Sequence, residues 1–119
     1  MEQLKGCIIG ESLVDPTIIN RLPIYRVHIS AETLKIDDQG RRGRWHLYWF
    51  TCDQTEIPAI QQVLKPGWYA HFWRDGLITV IYSDALFEMH ADDRSTWTAA
   101  VDHGRRHGIP DEQLDFLTC

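Results

Sequence analysis

Two short reversals in the middle of the chain constrain its fold more than any other feature. Between Trp68 and His90, three apolar-rich runs are separated by Asp75-Gly76 and by Ser83-Asp84. Asp-Gly is a favoured centre for a two-residue hairpin, because both positions can take positive φ. Ser-Asp is a weaker turn signal. With both hairpins tight, the register of three antiparallel strands follows. Trp73 then faces Ile78 and Met89, His71 faces Val80 and Phe87, and Tyr69 faces Tyr82 and Ala85. These nine side chains share one nearly apolar face. The opposite face carries Trp68, Ala70, Phe72, Leu77, Thr79, Ile81, Leu86, Glu88 and His90. It is mixed, too oily for bulk water and too polar for an ordinary core.

Upstream, Leu4 to Gly10 reads as a first strand and Ile24 to Ile29 as a second, the latter ended by the polar segment from Asp37 to Gly43. Thr17 to Leu22 fits a turn of helix or extended chain equally. Trp45 to Cys52 is a third strand, apolar on both faces, so it is expected to be central with material packed on each side. A short helix follows, with Asp53 or Thr55 as its cap and Ile57, Ile60, Val63 and Leu64 at helical spacing; Pro66-Gly67 stops it. The clearest helix is capped by Asp92 or Asp93. Its inward stripe is Trp97, Ala100, Val101 and Gly104, and Gly108 with Pro110 ends it. Pro110-Asp111-Glu112 resembles a further helix start.

The expected architecture is α+β: an antiparallel sheet of five or six strands with both helices on one face, ferredoxin-like, in a single domain spanning residues 1–119. At this length there is no room for two cores.

Composition narrows the partners. The net charge of −5 argues against a general nucleic-acid binder, which needs a basic footprint. The one basic run, Arg41-Arg42-Gly43-Arg44, follows Asp37 and Asp38 and reads as a solvated hairpin loop. No stretch approaches a membrane span, and Met1 to Lys5 does not open a secretory signal. Cys7, Cys52 and Cys119 are odd in number and widely spaced, which fits a reducing cytoplasm; Cys7 and Cys52 read as strand residues and Cys119 as a free terminal thiol.

Leu4-Lys5-Gly6-Cys7-Ile8-Ile9-Gly10-Glu11-Ser12-Leu13, Gly67-Trp68-Tyr69-Ala70-His71-Phe72-Trp73 and Gly108-Ile109-Pro110-Asp111-Glu112-Gln113-Leu114-Asp115-Phe116 resemble a family of small bacterial proteins without an assigned function. The resemblance implies a bacterial, cytosolic and complete chain. It implies no activity, since none of the three segments is a catalytic signature.

The chain has no phosphate loop, dinucleotide fingerprint, nucleophile elbow or H-E-x-x-H. No cofactor is expected. Six His remain. His103 and His107 lie four apart on the second helix, a spacing that can serve a metal. However, Asp102 points elsewhere around the helix, and Arg105 and Arg106 would repel a dication. They read as solvated helix-end residues, and no metal site is expected. His71, central on the apolar face, reads first as a core histidine and second as a pocket base, with Tyr69 and Tyr82 as possible hydroxyl donors. On the mixed face, Glu88 lies across from Thr79, with His90, Phe72 and Trp68 alongside. That face is expected to bury itself against a second copy. Glu11-Ser12 and Asp53 read as turn and cap residues.

The excess of Trp, Tyr and His on strands, without catalytic spacing, points to a non-catalytic, self-associating module. It would be a homodimer binding a small molecule or peptide through Trp73, His46, Phe72, Glu88 and His90. The alternative is an acid–base enzyme with His71 as base and Tyr69 or Tyr82 as donor. A third reading is an adaptor for a protein partner, with the acidic segment from Asp111 to Asp115 as its handle.

Overall fold

A computed structural model describes residues 3–30, 45–109 and 111–116. The basic run 41–44, Asp37, Asp38, Pro110 and Cys119 lie outside the described residues. Six strands, β1 (Leu4–Ile9), β2 (Ile24–Ile29), β3 (His46–Cys52), β4 (Tyr69–Arg74), β5 (Leu77–Tyr82) and β6 (Ala85–His90), form one antiparallel sheet in the order β2-β3-β1-β4-β5-β6. Helix α1 (Glu56–Gln62) joins β3 to β4, and α2 (Thr98–Arg106) follows β6.

The central meander has the register expected from its turns. Tyr69 pairs with Tyr82, His71 with Val80 and Trp73 with Ile78; Ile78 then pairs with Met89, Val80 with Phe87 and Tyr82 with Ala85. Asp75 has φ 51° and Gly76 φ 81°, the positive pair that a twisted two-residue hairpin requires.

The fold is α+β, but the helices are placed differently from the expectation. They divide between the two faces. Ile57 and Ile60 of α1 pack with Ile8, Phe50, Ala70, Phe72 and Ile81. Trp97 and Ala100, at the start of α2, pack with Trp73, Ile78, Val80 and Met89 on the other side. The reason lies in where the apolar residues of the mixed face sit. Phe72 and Ile81 are 0 % exposed on inner positions, whereas Leu77, Leu86, Glu88 and His90 are exposed towards the β6 edge. Averaged over three strands the face looks mixed; strand by strand it is a core with a polar margin. Both sides of the inner strands are therefore apolar, and each needs its own cover.

The ferredoxin-like arrangement is not confirmed. Strand β1 pairs antiparallel with both β3 and β4, so α1 crosses between two parallel strands with β1 inserted between them. The remaining strands extend that unit on both sides, and α2 lies on the opposite face. Strand β3 is packed on both sides as expected, Phe50 in one core and Trp49 in the other, although β2 lies outside it.

Local signals account for the element ends. Pro16–Arg21 forms a 3-10 turn capped by Asp15, whose carboxylate accepts from the Thr17 amide at 3.1 Å. Asp93 caps a 3-10 turn, Arg94–Trp97, that leads into α2, accepting from the Ser95 amide at 3.1 Å. Thr55 stands at the start of α1 without a capping bond from its side chain. Gly104 lets α2 approach the sheet: a Cβ there would lie 2.5 Å from Leu114 Cδ2 and 2.8 Å from the Tyr82 hydroxyl.

Candidate functional site

The face that α2 covers is only partly closed. Beyond α2, the segment after it docks on the sheet with Ile109, Leu114 and Phe116 buried. The Tyr69 hydroxyl donates to the Gln113 carbonyl, and the Phe116 ring stands edge-on to Tyr69 at 5.1 Å. This cover ends over β4. On β1 and β3 the residues of the same face, Cys7, Ile9, Leu47 and Trp49, continue past it.

The result is a groove of about 250 Å³. Cys7, Ile9, Leu47, Trp49, Tyr69 and His71 contribute most of its lining, with Asp115 on the C-terminal segment and Arg26 on β2. The Arg26 guanidinium lies over the Trp49 ring, 4.3 Å from its centroid, a cation–π contact that places a positive charge beside an aromatic surface. A second depression of about 170 Å³ shares Ile9, Leu47 and Tyr69 and extends towards Trp45, Trp68 and Ile109. Trp45 and Trp68 meet edge to face at 5.4 Å. Together the two fall within the lower part of the range for small-molecule sites, roughly 300–1,000 Å³.

Protonation is settled by burial at two of these residues. The Cys7 thiol is pushed up to about 12 by desolvation, against a smaller opposing effect of Arg26, so it is a neutral thiol at physiological pH. Burial also pushes the Tyr69 phenol well above its ordinary value. Neither residue is an activated nucleophile.

The candidate residues from the sequence are distributed unevenly around this groove. His71 and Tyr69 line it together, their rings 6.2 Å apart. His71 is 8 % exposed and stacks on Trp73 at 5.2 Å with 26° between the planes. Trp73 itself is buried in the core beneath. Tyr82 contacts Tyr69 at 6.0 Å, but its hydroxyl donates to the Ala100 carbonyl at 2.7 Å and burial raises its phenol to about 12. Phe72 is enclosed under α1. Glu88 and His90 are exposed on β6, Glu88 opposite Thr79 as expected. The His90 carbonyl accepts from Trp97 Nε1 at 2.7 Å. His46 lies away from the groove, its Nδ1 2.7 Å from Glu11 Oε2, while its amide donates to Glu11 Oε1 at 2.7 Å. Glu11 thus ties the end of β1 to the start of β3, more than a turn residue would do.

Cys7, Ile9, Arg26, Leu47 and Trp49 are the groove residues that sequence reasoning did not select, and Asp115 was selected only as part of an acidic handle. The alternation Trp45, Leu47, Trp49 was a usable signal for one wall. The pairing of β1 with β3, which brings Cys7 opposite Trp49, joins segments distant in sequence and has no local signature.

Comparison with protein-family models, with curated proteins and with solved structures finds no match. No helix among the described residues is long and apolar enough to cross a membrane.

Proposed function

We propose that this protein is a non-catalytic binding module for a small, flat, largely apolar molecule that carries a polar group. The observation that carries the reading is the uncovered half of the α2 face: an aromatic groove with one cation, Arg26, and one carboxylate, Asp115, at its margins. Such a site buries a planar ligand against Trp49, Tyr69 and Leu47 and uses the charges for orientation. Residence in a reducing bacterial cytoplasm belongs to the same reading, supported by Cys7 and Cys52 as free, buried thiols. Self-association is not needed for it, because α1 covers the centre of the face expected to pair.

The acid–base alternative is favoured by one observation, the position of His71 in the groove. It lacks support from the phenols, since both hydroxyls are engaged by backbone carbonyls. The adaptor reading has less support, as Asp111 is bound by Arg105 at 2.8 and 3.0 Å and Leu114 is buried.

An NMR fragment screen with aromatic carboxylates and aromatic amines tests the binding reading. Fragment binding should shift the resonances of Leu47, Trp49, Tyr69 and His71 together, and Leu47→Glu should abolish the shifts. A screen in which no fragment perturbs this set, or in which Leu47→Glu binds as well as wild type, overturns it.

A further inference from the structure

The last turn of α2 faces the β5–β6 turn, and three metal-ligating side chains meet there. His103 Nε2 lies 2.8 Å from Asp84 Oδ1. His107 Nε2 lies 3.2 Å from His103 Nε2 and 3.6 Å from Asp84 Oδ2. We propose that Asp84, His103 and His107 form a binding site for a divalent first-row transition ion, of which Zn²⁺ is the probe of choice.

Geometry is the first argument. Ligand atoms about 2.0–2.1 Å from a tetrahedral Zn²⁺ are separated from one another by roughly 3.3 Å. The distance between the two imidazole nitrogens matches that edge, while Asp84 reaches His103 through Oδ1 at 2.8 Å and His107 through Oδ2 at 3.6 Å; with one ligand atom from each residue, the three lie within 4.8 Å of one another. The Asp84 side chain is 57 % exposed and can rotate to even them out.

Hydrogen-bond chemistry is the second. His103 Nε2 contacts both a carboxylate oxygen and another imidazole nitrogen. One Nε2 can present a single proton or a single lone pair. Protons therefore serve these close approaches poorly, whereas a cation accepts all three lone pairs at once.

The surroundings hold the ligands in place. The Tyr82 ring lies 4.6 Å from the His103 ring and Phe87 lies 5.4 Å from it, so that imidazole is packed on two sides. Tyr82 is in turn anchored on α2 through the Ala100 carbonyl. Across the sheet, Gln61 of α1 donates to the carbonyls of Tyr82 and Ala85 at 2.8 and 2.9 Å, clamping both ends of the turn that presents Asp84. The objection from neighbouring cations is weakened at Arg105, which turns away to a two-pronged pair with Asp111. The C-terminal end of a helix also favours positive charge. With three protein ligands, the ion would keep a coordination position for water or an exogenous donor.

Calorimetry and equilibrium dialysis of tag-free protein with Zn²⁺ test the proposal, with Co²⁺ absorption reporting the coordination number. One ion per chain should bind wild type, with a visible spectrum of four- or five-coordinate Co²⁺. Asp84→Ala and His107→Gln, at the exposed turn and the helix end, should fold as wild type by circular dichroism. They should bind at least about 100-fold more weakly, since outer-shell partners alone are worth about 10–100-fold. His90→Ala, outside the site, should bind like wild type. Absence of Zn²⁺ uptake by wild type, or equal uptake by folded Asp84→Ala and His107→Gln, overturns the site.

Discussion

On one side of the molecule, β4 and β5 are sandwiched between α1 and α2; on the other, β1 and β3 share α1's side of the sheet with it but reach past α2 on the opposite face. The first region is closed on both sides, with Phe72, Ile78, Val80 and Ile81 all at 0 % exposure. In the second, Ile9 and Leu47 remain partly exposed along the groove. A helix of nine residues spans about 13 Å. Strands in a sheet lie about 4.8 Å apart, so one such helix covers some three strands of a six-stranded sheet. The shortage of cover creates the groove, and it does so where Arg26 can reach the margin. The closed core and most of the groove therefore lie on different halves of one sheet, with Tyr69 and His71 of β4 at the boundary.

The largest effect that could break this contrast is Phe72→Ala, which should lower unfolding free energy by about 3–5 kcal/mol in a denaturant titration. A loss below about 1 kcal/mol would show that α1 does not close that face. Gly104→Ala should follow, at about 1–3 kcal/mol, because the added methyl meets Leu114 and the Tyr82 hydroxyl and forces α2 away from the sheet. A thermal midpoint equal to wild type would contradict the close approach. Leu47→Ala, in the open half, should cost less than about 1.5 kcal/mol and act instead on fragment affinity.

A further effect is silent at neutral pH. Burial pushes the Cys7 thiol from the ordinary value of 9.0, which the unfolded chain takes, up to about 12 in the fold. A folded value above the unfolded one contributes stability that is fully present below pH 9 and lost as pH rises towards 12. Cys52, raised to about 11 by burial, has the same sign. Unfolding midpoints measured from pH 8 to 11 should therefore fall, and Cys7→Ala should flatten the decline. An unchanged slope in that variant would place the thiol in contact with water.

Much of the central meander was legible because its determinants are adjacent in sequence. Asp75-Gly76 and Ser83-Asp84 turn the chain, period-two alternation assigns the faces, and the observed pairs from Tyr69–Tyr82 to Ile78–Met89 agree with both. The site was legible only in part. His71 and Tyr69 were selected because they fall on one strand face. Arg26, Cys7, Leu47 and Trp49 were not, because they come together only through the β2-β3-β1 pairing. The same holds for Asp84. The sequence offered Asp102 as the nearest carboxylate to His103, while the folded chain brings a turn residue nineteen positions upstream to 2.8 Å.

Alternation and turn chemistry act over a few residues, so the chain by itself determined its strands, their faces and the pairing within the hairpins. Which face each helix covers, where β1 inserts and which side chains converge on His103 depend on burying apolar surface between segments far apart. Those contacts form only when the whole sheet is assembled, and the tertiary structure alone decided them.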